Sequence, residues 1–570
     1  MKRAFTMKLA VLAALVLLAN HAALAQDAAA RLDAAAKAMG IVNLTNVQYK
    51  GAGNAYNFGQ AVNANSPWPK FIMTAYTADV NYVTGSMRQT MVRTNPDGSA
   101  PFGGVNQIQV VSGNYAWNVA GQPPAAAPAP ANVAERQVQI WLTAPGFIKG
   151  AQANHAMMNG DVITFMTPDG HKIEGTLDAQ NMVVKTETWI DNPVLGDMPI
   201  VTTFSDYKNY SGIKFPTTIS QTEGGYPLLD LTVADVVPYQ AVPIVVPPNV
   251  PGAQIPPVNV VSQKIGDGVW YLTGGTHHSL VAEFSNHLVL IEAPLDQARA
   301  TAVIAEAHKL VPNKPITYVI NSHNHFDHLG GVRTAAAEGA TIITPASNVA
   351  YYTKIFAYPH ALNPDKLAES KKKVKVEGVM GKRVLSDGKH EIDLYVQPID
   401  GHNDAMMLVY FPKDKILSEA DAYTPGAPNA APPAMPNPQT VQLYDEIQKL
   451  KLNVDQIAPL HGRMTSLAEM KKMIGKSDSA SSDPASGALV AQGKALFTGV
   501  MYMCSGCHGE NGVGTETAPK LAGLGWTTTK IGDFIQFPDA IADGVGMPNV
   551  PASSPDLLAL VAYVHSLSPQ

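Results

Sequence analysis

The chain reads as a multidomain protein, with an antiparallel β domain first, an α/β domain in the middle and a small all-α domain last. Three observations predict this. Its 570 residues exceed what one hydrophobic core supports. The apolar pattern changes from period-two alternation to strands interleaved with helical periods, and then to helical periods alone. Stretches rich in Pro, or in Ser, Ala, Pro and Gly, fall at those changes. The boundaries that follow are 1–25 for a targeting segment, 26–240 for the β-rich domain and 241–257 for a Pro-rich linker. Then come 258–475 for the α/β domain, 477–487 for a flexible linker and 488–570 for the helical domain.

The first 25 residues have a positive start (Lys2, Arg3, Lys8), an apolar run from Leu9 to Ala19 and a small-residue site at Ala23-Leu24-Ala25. That is the pattern of a cleaved secretory signal, and the run is short for a bilayer span. No later stretch is long and apolar enough to predict an integral membrane span. Cleavage removes three positive charges and no acids, taking the formal charge from −6 to −9. A mildly acidic mature chain argues against nucleic acid as a partner. The chain has 2 cysteines, Cys504 and Cys507, so no disulfide framework is expected.

Residues 26–240 carry alternating segments such as Gln107–Val111, Asp161–Phe165 and Leu229–Val233, with turn signals at Pro168-Asp169-Gly170 and Gly224-Gly225. Gln122–Asn132, mostly Pro and Ala, reads as a surface loop. His155 and His171 are isolated, and no catalytic constellation is visible in this region. The pattern resembles the half-barrel domains of periplasmic lipoprotein carriers, which by analogy of fold alone would imply binding or docking.

The chemistry begins after the Pro-rich linker. A short apolar strand, Ile316–Ile320, runs into Asn321-Ser-His-Asn-His-Phe-Asp-His. His323, His325, Asp327 and His328 fall within six residues. Packed imidazoles are costly unless a cation or hydrogen bonds compensate them. His323 and His325, two apart on extended backbone, can point to one ion, and Asp327 and His328 can reach a second. Three further candidate ligands, His402, Asp421 and His461, each end an apolar segment, where a ligand on a rigid element belongs.

The motif His-x-His-x-Asp-His, followed in order by His, Asp and His, resembles the metallo-β-lactamase superfamily over about residues 258–475. The resemblance implies a four-layer αββα sandwich with metals at one edge. It assigns His323, His325 and His402 to one metal, Asp327, His328 and His461 to another, and Asp421 to a bridge. Asp327 and His328 are the expected catalytic residues. The ligand types suit zinc, and also iron or manganese. Asp421 stands where the zinc β-lactamases with a thiolate ligand carry Cys, so the set is similar to that of glyoxalase II-type thioesterases and lactonases. His277 and His278, on a loop that approaches the metals in relatives, and Tyr423 are candidate substrate contacts. Tyr423 to Pro438 holds six prolines and reads as a loop at the mouth of the site or an insertion.

Cys504-Ser-Gly-Cys507-His508 is a c-type haem attachment motif, with two thioether positions and His508 as proximal ligand. No second Cys pair exists to complete a zinc site, and no βαβ pattern surrounds the motif as in a redox pair. Met547, 39 residues later, is the expected distal ligand. Asp556–Leu567 has one apolar side, formed by Leu557, Leu560, Val561, Val564 and Leu567. Residues 488–570 resemble a class I cytochrome c domain. Covalent haem c is assembled outside the cytoplasmic membrane in bacteria, which agrees with the signal segment on a periplasmic location.

The foremost reading is a periplasmic dinuclear-metal hydrolase acting on a small ester, thioester or lactone, with a covalent haem c for electron transfer to a periplasmic redox partner. An iron-dependent sulfur oxidoreductase of the persulfide dioxygenase kind is the alternative. A non-enzymatic binding and electron-transfer module is the third reading.

Overall fold

A computed structural model describes residues 27–476 and 484–567, apart from 102, 122, 241, 429, 434, 500–501, 517, 527, 537–549 and 551–554. The expected signal segment, part of the second linker and Met547 lie outside the described residues. The chain divides into two compact units, Met1–Val379 and Met380–Gln570. The first holds the β-rich region together with the leading part of the α/β region. The second holds the rest of the α/β region and the helical C-terminus.

In the first unit, a 13-stranded sheet forms from two antiparallel meanders. They meet where Asn46–Tyr56 pairs with Tyr226–Pro238, so the first strand of the sheet lies beside its last. Alternation builds the strands: Val162–Met166 and Lys172–Leu177 bury every second side chain. The turns fall at Pro168-Asp169-Gly170 and at Gly224-Gly225, as the sequence predicts. Three helices, 27–39, Val133–Trp141 and Ala144–Ala153, join Leu32, Met39, Val138, Phe147 and Ile148 to the core of this sheet. The sequence reading had no helices here. It also took Gln122–Asn132 for a loop, whereas Ala125–Pro128 forms an edge strand on Tyr115–Ala120. Pro is tolerated there because an edge strand leaves one side without a ladder to donate to.

The same unit carries a seven-stranded sheet whose first four strands are antiparallel hairpin neighbours and whose last four run parallel. Leu288–Ile291 is buried on both faces, as a central parallel strand should be. Helix Gln297–Leu310, capped by the Asp296 carboxylate on Arg299 N, makes the crossover to Ile316–Ile320. The two sheets of the unit do not have separate cores throughout. Ala61, Trp68, Val194, Leu195 and Met198 of the large sheet share one cluster with Leu288, Val319, Leu329 and Tyr352. Asp197 accepts from Ala361 N and Leu362 N at 3.0 and 2.9 Å, which ties a hairpin of the large sheet to the 359–363 loop.

The second unit has a six-stranded sheet, Lys382–Ser386 to Thr465–Ser466 in chain order. Its one parallel pair, Ile416–Glu419 with Gln456–Pro459, is joined by helix Pro438–Lys449. The C-terminal helices follow. Pro484–Thr498 crosses Pro555–Ser566 at Gly493, where an added Cβ would stand 1.8 Å from the Ala559 carbonyl oxygen. Phe497 meets Tyr563 there, with ring centroids 5.2 Å apart. Leu557, Leu560, Val561 and Val564 are buried, as their spacing predicts, and Leu567 packs against them.

Candidate metal centre

Strand Ile316–Ile320 ends at Asn321, and the chain then turns through His323 and His325 into the short helix Phe326–Leu329. His323, His325 and His328 are at most 2% exposed. Their rings crowd, with His323 4.3 Å from His325 and 4.5 Å from His328, centroid to centroid. The ligating atoms of His277, Asp327 and His328 lie within 4.8 Å of one another.

Glu292 organises this turn. It ends the buried strand Leu288–Ile291, is fully buried and adopts a φ of 64°, outside the usual range for a side chain of its kind. Its Oε2 accepts from Ser322 Oγ at 2.5 Å and pairs with His328 Nδ1 at 3.1 Å. Its Oε1 accepts from Asn321 Nδ2 and from Ser322 N. Ser322 Oγ in turn meets His323 Nδ1 at 2.9 Å. Both Nδ1 atoms are thereby engaged, which sets Nε2 of His323 and His328 as the atoms offered for coordination. Tyr352 donates to the His323 carbonyl at 3.1 Å and to Asn321 Oδ1. Burial pushes the Tyr352 hydroxyl well above the ordinary phenol range, so it stays a donor.

Asp327 is gripped at both oxygens. His277 Nε2 meets Oδ2 at 3.0 Å, and Gln60 Nε2 donates to Oδ1 at 2.9 Å. His277 Nδ1 meets Thr276 Oγ1 at 2.9 Å. The neighbouring His278 has a different place. Its Nδ1 meets Tyr271 Oη at 2.5 Å and its Nε2 meets the Gly275 carbonyl, so it anchors the loop. His155 is exposed, and His171 pairs locally with Asp169 at 3.1 Å.

In the second unit, His402, in the turn between Glu391–Ile399 and Asn403–Phe411, comes together with Asp421 and His461, which follow the paired strands Ile416–Glu419 and Gln456–Pro459. Asp421 spans the two imidazoles. Its Oδ2 is 3.4 Å from His402 Nε2 and its Oδ1 is 3.0 Å from His461 Nε2. The buried Glu419 carboxylate accepts from Ala422 N at 2.9 Å and Tyr423 N at 3.3 Å, which shapes the backbone leaving Asp421. Tyr423 is buried, and that burial, with Glu469 nearby, raises its hydroxyl above the usual phenol value. Farther along the Pro-rich loop, Met435 Sδ accepts from Gln536 Nε2 of helix Thr528–Gln536 at 3.9 Å.

Cys504–His508 forms one helical turn. His508 is buried, and its Nδ1 meets the Pro519 carbonyl at 2.9 Å, which leaves Nε2 as the ring nitrogen that could face a metal. Burial raises the Cys504 thiol above its ordinary range, and Cys507 is exposed. Among the described residues, no helix is long and apolar enough to cross a membrane.

Sequence reasoning missed Glu292, Ser322, Asn321 and Gln60. Glu292 carried the same signal as Asp421, an acid ending an apolar strand. Gln60, more than 260 residues from Asp327 in sequence, carried none.

A family model described as Metallo-beta-lactamase superfamily matches residues 272–451. One described as Cytochrome C oxidase, cbb3-type, subunit III matches residues 488–564. Similar solved structures include a metallo-beta-lactamase from Pontibacter korlensis, 18% identical over 38% of this chain and 98% of that one, with a TM-score of 0.29. A metallo-beta-lactamase from Hirschia baltica is 18% identical over 38% of this chain and 95% of its own, TM-score 0.28. The metallo-beta-lactamase FIM-1 from Pseudomonas aeruginosa, in a mono-zinc form, is 18% identical over 39% and 97%, TM-score 0.28. The first family match implies a divalent-metal site and the second implies haem. The chain therefore carries a metallo-β-lactamase-superfamily domain over residues 272–451 and a cytochrome c domain over residues 488–564.

Proposed function

We propose that the chain is an exported, periplasmic hydrolase with a dinuclear metal centre, acting on a small ester, thioester or lactone. His323, His325 and His402 would hold one divalent ion, Asp327, His328 and His461 would hold a second, and Asp421 would be shared by both. The family match runs unbroken across all seven except His461, which follows it in the order the family uses. The observation that carries the reading is the bracing of the histidine turn by Glu292 and Ser322. Outer partners that orient imidazoles in this way belong to metal sites, where they tune ligand direction and basicity. The donor set fits the implied ions: buried imidazoles and carboxylates, with no thiolate, suit zinc, iron or manganese.

When bound, two such ions lower the pKa of a water and stabilise the oxyanion that forms. The chain's own groups do the rest. Asp327 and His328 are the catalytic residues. Asp327 Oδ2 is the proposed acceptor of the attacking water's proton, and His277 Nε2, in contact with it, holds it in place. Water adds across the acyl–oxygen or acyl–sulfur bond and yields an acid with an alcohol or thiol. His278 anchors its loop through Tyr271 and the Gly275 carbonyl, which leaves His277 and Tyr423 as the proposed substrate contacts. A panel of thioesters, lactones and aryl esters tests the reading. Turnover that disappears on chelation and in Asp327→Ala is expected. A metal-loaded, folded protein inert to all three classes would overturn it.

The cytochrome domain favours a second reading, an iron-dependent oxidation of sulfur compounds with electrons leaving through the haem. Cys504 and Cys507 would hold that haem covalently, His508 and Met547 would be its iron ligands, and a periplasmic redox partner would be the acceptor. A hydrolysis releases no electrons, whereas a sulfur oxidation in which the haem and not dioxygen takes the electrons would need such a carrier. Metal identity separates the two.

A further inference from the structure

The loop between strands Asn46–Tyr56 and Lys70–Asn81 belongs to the large N-terminal sheet, yet it lies on the histidine turn. Three consecutive residues of this loop grip the turn. The Gly59 carbonyl accepts from Phe326 N at 3.2 Å. Gln60 Nε2 donates to Asp327 Oδ1 at 2.9 Å. The Ala61 carbonyl accepts from Asn324 Nδ2 at 3.0 Å. The residues gripped are Asn324 and Phe326, which lie between the proposed ligands His323, His325 and His328, and Asp327, which is itself a proposed ligand. Aromatic packing fixes the approach. The Phe326 ring sits edge-on to Phe58 and Trp68, with centroids 5.4 and 6.0 Å away, and Trp68 stacks on Tyr226 at 4.9 Å. Gly59 has a φ of 72°, and a Cβ there would stand 2.6 Å from the Phe326 ring, so the close approach requires glycine.

We propose that Gln60 is a positioning residue of the metal centre, and that the N-terminal domain is thereby a structural part of that centre. The amide holds Asp327 Oδ1 and so sets the plane of the carboxylate. Oδ2 is then directed to the side where His277 Nε2 and His328 Nε2 lie 3.0 and 3.8 Å away. A neutral amide suits this place. It orients the carboxylate without competing with a cation for its charge, as a Lys or Arg would. An outer partner of this kind is typically worth about 10–100-fold in metal affinity.

The inference rests on Asp327 being a ligand, and the test separates the two ideas. Gln60→Met keeps length and bulk but removes the donor. Full-length protein of this variant and of Asp327→Asn is titrated with zinc against a competing chelator, and with cobalt to follow the ligand-field spectrum. Gln60→Met is expected to weaken one ion by about 10–100-fold and to change its cobalt bands, with the other ion and the thermal midpoint little altered. Wild-type affinity and an unaltered cobalt spectrum in Gln60→Met, while Asp327→Asn loses an ion, would overturn the role of Gln60 and leave the proposed function standing. Both ions held normally by Asp327→Asn would remove the ligand assignment itself, and this inference with it.

Discussion

The histidine turn and the haem-attachment turn are both short segments that present ligands, and they are built in opposite ways. Around His323–His328 the protein supplies the order. Glu292, Ser322, Asn321, Tyr352 and Gln60 bond to the ligands or their backbone, and the imidazoles of the turn are buried. Around Cys504–His508 the bracing among the described residues is lighter. His508 is held by the Pro519 carbonyl, Thr515 Oγ1 reaches the Cys507 carbonyl, and Cys507 is exposed. On the proposed function, the difference would follow from how each cofactor is held. A reversibly bound ion gains most from ligands ordered before it arrives. A covalently attached group stays in place through its own bonds, so its segment can be completed by the group itself.

Glu292→Ala should produce the largest effect and break the contrast if it does not. It strips a buried carboxylate from His328, Ser322 and Asn321, at an expected cost of about 3 kcal/mol in stability. Metal affinity should fall by about 10–100-fold. Urea unfolding and chelator competition read both effects, and haem content should be unchanged. Gly493→Val probes the other region. Its side chain would collide with the Ala559 carbonyl, so a loss of about 2–3 kcal/mol confined to the C-terminal helices is expected, seen as reduced haem incorporation with metal content intact. Tyr352→Phe removes one hydroxyl from the brace and should cost about 1 kcal/mol, with metal affinity slightly reduced. Alkylation of haem-free protein sharpens the comparison without a mutation. The thiolate is the reactive form, and burial raises the Cys504 pKa, so at neutral pH the exposed Cys507 should be labelled first. Cys504 labelling should keep rising with pH above the ordinary thiol range, as mass spectrometry of the labelled peptides will show.

The candidate ligands stand out in the sequence because donor density and position are local properties. Four donors crowd one turn, and His402, Asp421 and His461 each end an apolar segment. The brace was not legible, because it is assembled from distant strands. Glu292 meets His328 across 36 residues, and Gln60 meets Asp327 across 267. The missed helices had readable signals. Residues 27–39 are rich in Ala, the strongest helix former, but stand at the head of a region, 26–240, whose later alternation points to β structure. Thr143 caps Ala144–Ala153 through Gly146 N, with Pro145 in the first turn, a start signal hidden inside a region otherwise dominated by alternation. The C-terminal helix was predicted within a residue because its apolar spacing is regular and its partner helix precedes the haem motif.

The central claim is that the braced turn belongs to a dinuclear divalent-metal centre. The most direct test is metal analysis of full-length Cys504→Ala/Cys507→Ala protein, in which iron cannot come from covalent haem. Two divalent ions per chain, zinc foremost, are predicted. A folded protein that binds no metal would contradict the account, and a single iron per chain would replace the hydrolase with the sulfur oxidoreductase.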